Sequence, residues 1–459
     1  MNAHDLLKPL TRFRDMAVAG ASSLVRTSGV LGLLLFAVVL FSLLVGWRTL
    51  VVVDQWHHEV RSIEKNAAPA VLLADQLRTQ LFSMVADSAN DLVVPGGDLM
   101  ETYAGNEDGV VKNLVAAASH VSFGERETAP IGALTMGLAS YEGYLRAASL
   151  AGPSKRVTMV IHASDVMQQD VVPSAEQLGD VNRVELERGL HAVPSRATVL
   201  WSSTLPTIAL ALWLFVIQAY LIAKFRRFVN LPLLLASVLV VVMGVQNASD
   251  FSGARDALSE ALDVHFKTVS LASRAKALLY GAHADESFYL ITDDKDEMTD
   301  QFRKKTKHLI SADLTDLPTH TDIRKAIDTR SAVSQQGYLA DVINNKPDAA
   351  ERKILAELVD DFARYLEIDT KIRALDTGDD HAGAVALSIG KNPGELNYVF
   401  GRLDAGVSEI VKQNREAYET GLAASEATLN AIARRSLLVL VLAGVLSVVG
   451  IRARMAEFS

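Results

Sequence analysis

The sequence predicts an all-α membrane protein with four transmembrane helices and two tandem extracytoplasmic helical bundles that arose by internal duplication. Three observations lead to this fold class. Four strongly apolar runs lie along the 459 residues, the two long segments between them have apolar residues at helical spacing, and the second segment resembles the first. The mean hydropathy of +0.19 is high for a water-soluble protein and comes mainly from these runs.

Two of the apolar runs are long enough to cross a bilayer core of about 30 Å. They are GVLGLLLFAVVLFSLLVGW (29–47) and VLWSSTLPTIALALWLFVIQAYLI (199–222). The runs LPLLLASVLVVVMGV (231–245) and LLVLVLAGVLSVVGI (437–451) are near the lower limit for a span, and flanking arginines extend them by snorkelling. We therefore predict transmembrane helices over residues 29–53, 198–223, 230–246 and 436–451.

Lysine and arginine occur in each of the short segments 1–28, 224–229 and 452–459. The positive-inside rule places these three segments in the cytoplasm. The first run is long and no small-residue cleavage site follows it, so we expect a retained anchor rather than a signal peptide. Both termini are therefore predicted inside and both bundles outside the cell membrane. The predicted order around the spans is a cytoplasmic segment (1–28), a first bundle (54–197), a cytoplasmic linker (224–229), a second bundle (247–435) and a cytoplasmic tail (452–459).

Composition and motifs exclude several functions. The chain has no cysteine, which excludes thiolate metal sites and cysteine nucleophiles. Its net charge of −9 argues against nucleic-acid binding. No HExxH, phosphate-binding glycine loop or kinase motif set occurs, and the cytoplasmic segments are too short for a catalytic domain. We expect a protein that is not an enzyme, that needs no cofactor, and whose output passes through another protein.

The internal duplication is visible as residue-by-residue likeness. LADQLRTQLFSMVADSANDLV, from Leu73, matches LASRAKALLYGAHADESFYLI, from Leu271, at an offset of 198 residues. The offset then grows, so the second copy carries insertions. The later matches are YEGYLRAAS (141–149) with FARYLEIDT (362–370) at 221, and VNRVELERGL (181–190) with QNREAYETGL (413–422) at 232.

Each outer segment is predicted to form an up-down bundle of roughly four helices of about 30 residues, each about 45 Å long. Breakers separate the helices, such as AGPSK (151–155) in the first copy and NNKPD (344–348) in the second. This is the layout of chemoreceptor sensor domains, which usually work as homodimers. Here one chain supplies both halves, and we predict that the two bundles lie side by side. Further association into a homo-oligomer stays open.

Four charged residues are candidate ligand-binding positions. Arg78 and Lys276 occupy equivalent places on the first helix of each copy, where a cation would meet an amino-acid carboxylate. Asp87 and Asp285 are likewise equivalent and would meet an ammonium group. The alternative for all four is a solvated helix face. We also predict that Lys224, Arg226 and Arg227 set the topology and serve as a cytoplasmic coupling site.

One acidic cluster, DTGDDH (376–381), offers oxygen ligands that a hard cation would prefer. Its spacing matches no calcium-binding loop. Aspartates that cap helices in a solvated turn explain it better. We therefore predict no metal site.

Several stretches are similar to the GlnX-type family of four-span actinobacterial membrane proteins. They are IRALDTGDDHAGAVAL (372–387), SANDLVVPGGDLMETY (88–103), ADESFYLI (284–291) and the terminal GIRARMAEFS. The resemblance covers essentially the whole chain. It implies a role in sensing aspartate- or glutamate-type amino acids, with a secreted or lipid-anchored solute-binding protein outside. Inside, it implies a cytoplasmic serine/threonine kinase, protein kinase G, as the partner.

The sequence thus predicts a non-enzymatic sensor-transducer in the lipid bilayer, which relays amino-acid availability to a kinase pathway. The alternative is an accessory or scaffold component of an amino-acid uptake system. Ionisable groups within spans mark transport pathways, and the four spans have none at their centres, which argues against a pore or carrier.

Overall fold

The structure, a computed structural model, describes residues 27–94, 98–119, 121, 124–225 and 230–455. Within these ranges the chain is 90% helical and contains no strand, which confirms the all-α prediction. The described residues form sixteen α-helices: α1 Thr27–Ser62, α2 Ala68–Val93, α3 Leu99–Ser119, α4 Glu125–Leu150, α5 Pro153–Val166, α6 Val172–Ala192, α7 Arg196–Val199, α8 Leu205–Phe225, α9 Leu231–Glu260, α10 Lys267–Ile291, α11 Lys295–Leu309, α12 Leu317–Thr329, α13 Tyr338–Asn344, α14 Ala349–Thr377, α15 His381–Ile389 and α16 Leu396–Met455.

Short π-helical segments join several of these helices into longer rods. Pro69, Pro173 and Pro206 each lie two residues after such a segment, at Ile63–Ala67, Met167–Val171 and Leu200–Thr204. A proline lacks the N–H that a helix needs and its ring crowds the preceding turn, so the helix widens there instead of ending. The fourth segment, Ala261–Phe266, has no such proline.

Contacts divide the described chain into two units. One comprises the chain up to Val60, His191–Leu258 and the chain from Ala423 onward. The other comprises Arg61–Leu190 and Ser259–Leu422. The first contains the four predicted spans and is called the membrane unit below. The second contains both bundles and is called the outer unit, after the side of the membrane that the sequence predicts for it.

Four helices of the described chain are long and apolar enough to cross a membrane. In the membrane unit, apolar side chains from all four spans pack into one buried cluster, which includes Val38, Leu214, Val240 and Ala443. Other large apolar side chains of the same helices, such as Phe215, are exposed and are the surface that contacts lipid. The protein is therefore an all-α, multi-pass membrane protein.

In the outer unit, bundle 1 consists of α2, α3, α4 and the rod formed by α5 and α6, as the sequence predicts. Bundle 2 has the corresponding helices α10, α11, α14 and α16, and it has three additional ones. The offset rises from 198 to 221 where α12 and α13 lie, and from 221 to 232 where α15 lies. The insertions in the second copy are thus short helices.

Candidate functional site

The first helices of the two bundles, α2 and α10, pack against each other along their length. Both are preceded by a π-helical segment at the same place, since Ile63 and Ala261 are separated by the 198-residue offset. Buried polar groups join the helices. Ser270 Oγ donates to Asp75 Oδ2 at 2.5 Å, and Thr79 Oγ1 donates to the Ser273 carbonyl at 3.1 Å. The side-by-side arrangement predicted from the duplication is present.

The contacts between α2 and α10 are reciprocal: they involve equivalent positions of the two copies. The position of a Cβ on Gly281 lies 3.0 Å from the Phe82 ring, and Ser83 bonds to Tyr280. At the 198-residue offset, Phe82 is equivalent to Tyr280 and Ser83 to Gly281. Each residue therefore meets the neighbour of its own counterpart, which is the pattern of a self-complementary two-fold interface. The two copies form a dimer-like pair within one chain.

A charged cluster lies at the α2–α10 contact. Arg274 Nε lies 3.4 Å from Asp75 Oδ1, and its guanidinium also lies 3.8 Å from Asp180. Burial raises the pKa of Asp75, and nearby Arg274 together with the Ser270 hydroxyl opposes this rise. The Arg274 guanidinium lies 5.8 Å from the centre of the Tyr338 ring, a cation–π contact. This group therefore connects α2, α6, α10 and the inserted α13.

The predicted ligand-binding cations each have a partner within their own bundle. Arg78 is buried and lies 2.8 Å from Glu176 on α6. Lys276 lies 2.9 Å from Asp404 and donates to Ser408 Oγ at 2.7 Å, both on α16. Each cation is therefore held by the last helix of its own bundle. Their role in ligand binding stays a prediction.

The two candidate carboxylates are also in separate places. Asp87 accepts hydrogen bonds from Asn106 and Ser83, and burial raises its pKa. Asp285 accepts both of its bonds from the buried Lys305 ammonium, at 2.7 Å each. Burial raises the pKa of Asp285 to about 6, against the attraction of Lys305. The exposed-face alternative does not apply to Asp285, which is 1% exposed.

The predicted coupling residues lie at the linker. Lys224 is exposed near the end of α8, and Arg226 and Arg227 lie outside the described residues. Next to them, Asn230 precedes α9 and donates from Nδ2 to the Gly450 carbonyl of α16 at 2.8 Å. Sequence reasoning missed Asn230. The signal for it was the sequence NLP (230–232), because asparagine is a common helix cap and proline is common in the first turn.

The DTGDDH cluster forms helix caps and ion pairs. Asp380 caps α15 by accepting from the Gly383 N–H at 2.9 Å, and Asp376 pairs with Lys295 and with His381. Within the described part of the chain, no three His, Cys, Asp or Glu residues are grouped so that they could hold a metal ion.

Bundle 2 contains a cavity of about 850 Å³ between α11, α14 and the segment that follows α11. Sequence reasoning missed this cavity. Its wall includes the guanidinium of Arg373, which donates to both oxygens of Asp369 at 2.8–3.0 Å and to Thr299 Oγ1 at 2.7 Å. Arg303 and Lys307 add two further cations, and Asp313 adds a carboxylate. The only sequence signal was the pairing of Asp369 and Arg373 one helical turn apart.

A buried polar cluster adjoins this cavity. Glu286 is fully buried and accepts from Ser388 Oγ at 3.2 Å. Burial, with Asp369 nearby, raises the pKa of Glu286 to about 8. Burial lowers the pKa of His283, one turn before Glu286, to about 4. At neutral pH the interior therefore contains a neutral acid and a neutral imidazole, and Arg373 lies close enough to Glu286 to influence its ionisation.

Residues 59–191 match the family model of the actinobacterial sensor domain. The match corresponds to bundle 1 and covers less than a third of the chain. No curated protein and no solved structure matches the chain. Together with the four membrane-spanning helices, the sensor-domain match identifies a transmembrane sensor.

Proposed function

We propose that this transmembrane sensor relays the availability of aspartate- or glutamate-type amino acids outside the cell to a cytoplasmic kinase pathway. The single observation that carries the relay is the dimer-like contact between α2 and α10. Helix α2 continues through a π-helical segment into α1, which contains the predicted span 29–53. The π-helical segment before α10 joins it to α9, which contains all but the first residue of the predicted span 230–246. A change in the α2–α10 contact therefore acts on helices that are covalently continuous with spans.

The finer parts of the proposal rest on the GlnX-type resemblance. A secreted or lipid-anchored solute-binding protein would dock on the outer unit, and a serine/threonine kinase would receive the output inside, where we place both termini. A docking protein can supply the large differential affinity that a two-state shift requires, about 5.5 kcal/mol to move an equilibrium from 1:99 to 99:1. The family-model match supports the sensor role and leaves these partners as proposals.

A disulfide across the contact tests the relay. The chain has no cysteine, so a pair introduced at Phe82 and Gly281 would be the only thiols present. A Cβ on Gly281 would lie 3.0 Å from the Phe82 ring, so this pair is the first choice for a disulfide across the contact. We expect the oxidised F82C/G281C protein to fix the kinase-dependent response in one state, and reduction to restore its dependence on amino acids.

The matched control is a pair at Leu81 and Leu279, on the same two helices. These side chains belong to separate buried clusters, so we expect little crosslinking there. A response that stays normal when the 82–281 disulfide is complete would overturn the relay through this contact. A second test separates signalling from the uptake-scaffold alternative: deletion of residues 1–28 should abolish the kinase-dependent response while amino-acid uptake continues normally.

A further inference from the structure

The wall of the bundle 2 cavity has more cations than carboxylates. Arg303 and Lys307 line the cavity from α11 and are exposed. Neither forms a salt bridge within the residues that the structure describes, whereas Arg373 on the opposite wall is paired with Asp369. Burial raises the pKa of Asp369, and Arg373 together with the more distant Arg303 opposes this rise. The charged wall residues are three cations and two carboxylates, so the cavity has an excess of positive charge.

The spacing of Arg303 and Lys307 restricts what would bind them. Arg303 and Lys307 are four residues apart on one helix, so their Cβ atoms are about 5–6 Å apart on the same face. Like charges in this arrangement repel each other, and an anion between them removes the repulsion. A single small anion with two carboxylates a few bonds apart can bond to both at once. Arginine and lysine form charge-assisted hydrogen bonds with carboxylates.

The corresponding place in bundle 1 lacks this chemistry. Helix α3, the counterpart of α11, has Lys112 as its single lysine or arginine, whereas α11 has five such residues. The segment Ser311–Thr315, which completes the wall, precedes α12 in the region where the offset grows. The pair of cations on one face of the second helix is therefore a feature of bundle 2 that α3 does not repeat.

We propose that this cavity is a binding site for a small dicarboxylate, with Arg303 and Lys307 each bonding to one carboxylate group. The inference deepens the proposed function by placing direct ligand recognition in bundle 2. Thr299, Thr306 and Thr370 line the same cavity. Each hydroxyl donates to a main-chain carbonyl one helical turn earlier, so these side chains offer the ligand polar surface through their oxygens. Phe302 and Leu366 contribute apolar surface for the carbon chain of the ligand.

The test is isothermal titration calorimetry on the purified full-length protein with L-aspartate, L-glutamate and succinate, and with L-glutamine and inorganic phosphate for comparison. We expect saturable binding of at least one dicarboxylate and about tenfold or greater weakening in R303Q and in K307Q. Lys304 is exposed on the same helix and does not line the cavity, so K304Q is the matched control and should bind as the wild type does.

A second measurement needs no variant. The bound dicarboxylate should protect Lys307, but not Lys304, from acylation by an amine-reactive ester, measured by mass spectrometry of the wild-type protein. The absence of saturable binding at millimolar dicarboxylate, equal affinity for phosphate, or an unchanged affinity in both R303Q and K307Q would overturn the proposal. The crosslinking test of the relay is independent of this cavity, so failure here would leave the proposed function standing.

Discussion

Arg78 and Glu176 lie 2.8 Å apart, and their contact joins the first helix of bundle 1 to its last. The second copy repeats this connection. Lys276, the counterpart of Arg78, donates to Ser408, and Ser408 lies 232 residues after Glu176, the offset that relates the last helices. In both copies a cation on the first helix therefore contacts the same position of the last helix, where the acceptor is Glu176 in bundle 1 and Ser408 in bundle 2. This structural role accounts for the equivalence of Arg78 and Lys276 without a ligand.

We expect Arg78→Met to lower the stability of the outer unit by about 1–2 kcal/mol, because it removes a buried cation from a charge-assisted bond to a partly exposed carboxylate. The measurement is thermal unfolding of the full-length protein in detergent. The matched control is Arg146→Met, whose ion pair with Glu142 lies on the exposed face of α4 and should contribute less than about 0.5 kcal/mol. Unchanged stability with a lost response to amino acids would instead favour a ligand-binding role for Arg78.

The buried acid Glu286 predicts that stability falls with rising pH. Its pKa of about 8 lies above the ordinary glutamate value, so between these values the folded state retains a proton that the unfolded state loses. Asp285, with a pKa of about 6, acts in the same direction at lower pH. His283, with a pKa lowered to about 4, acts in the opposite direction up to about pH 6.5. Of these three groups, only Glu286 titrates between pH 6.5 and 8.

We therefore expect the thermal unfolding midpoint of the full-length protein to decrease as the pH is raised from 6.5 to 8. Glu286→Gln keeps the shape of the side chain and stays neutral, so it should flatten this fall and be more stable than the wild type at pH 8. Glu297→Gln is the control, since Glu297 is an exposed residue on α11. A wild-type midpoint that is constant over this range would show that Glu286 is ionised in the folded protein.

The sequence predicted the parts of this fold that depend on local pattern and on repetition. Four apolar runs predicted the spans, and breakers such as AGPSK and NNKPD mark places where helices end. The duplication predicted the side-by-side pair, because two copies with the same orientation can form a two-fold contact.

The candidate site depended on information that single-helix patterns do not contain. Lys305 and Asp285 are 20 residues apart on different helices, so no pattern within one helix pairs them. The bond exists because α10 and α11 pack in one register. The cavity is completed by Ser311–Thr315, part of an inserted region with no counterpart to compare in the first copy. Tertiary register and insertions therefore explain what the sequence did not predict.

Gly281 is closely packed, so we expect it to be sensitive to substitution by a larger residue. A Cβ there would lie 3.0 Å from the Phe82 ring and 3.1 Å from Lys305 Cδ, so Gly281→Ala must displace one of them. We expect this substitution to lower the unfolding midpoint and to alter the amino-acid response. In Gly401→Ala, on α16, the added methyl group meets no atom within 4 Å, so the variant should gain about 0.5–1 kcal/mol from helix propensity alone. Equal effects of the two substitutions would contradict a close contact at Gly281.

Asp313 predicts how the cavity distinguishes an amino acid from a simple dicarboxylate. Hydrogen bonds from the Thr315 hydroxyl and N–H lower the pKa of Asp313, so it is ionised at neutral pH and available to an ammonium group. We expect Asp313→Asn to weaken L-aspartate binding about three- to tenfold and to leave succinate unchanged or slightly tighter, because only aspartate has the ammonium group. Calorimetry with both ligands measures the difference. Asp322→Asn, which neutralises an exposed carboxylate on α12 outside the cavity, should change neither affinity. If Asp313→Asn weakened both ligands equally, the carboxylate would act by shaping the Ser311–Thr315 segment rather than by binding the ammonium group.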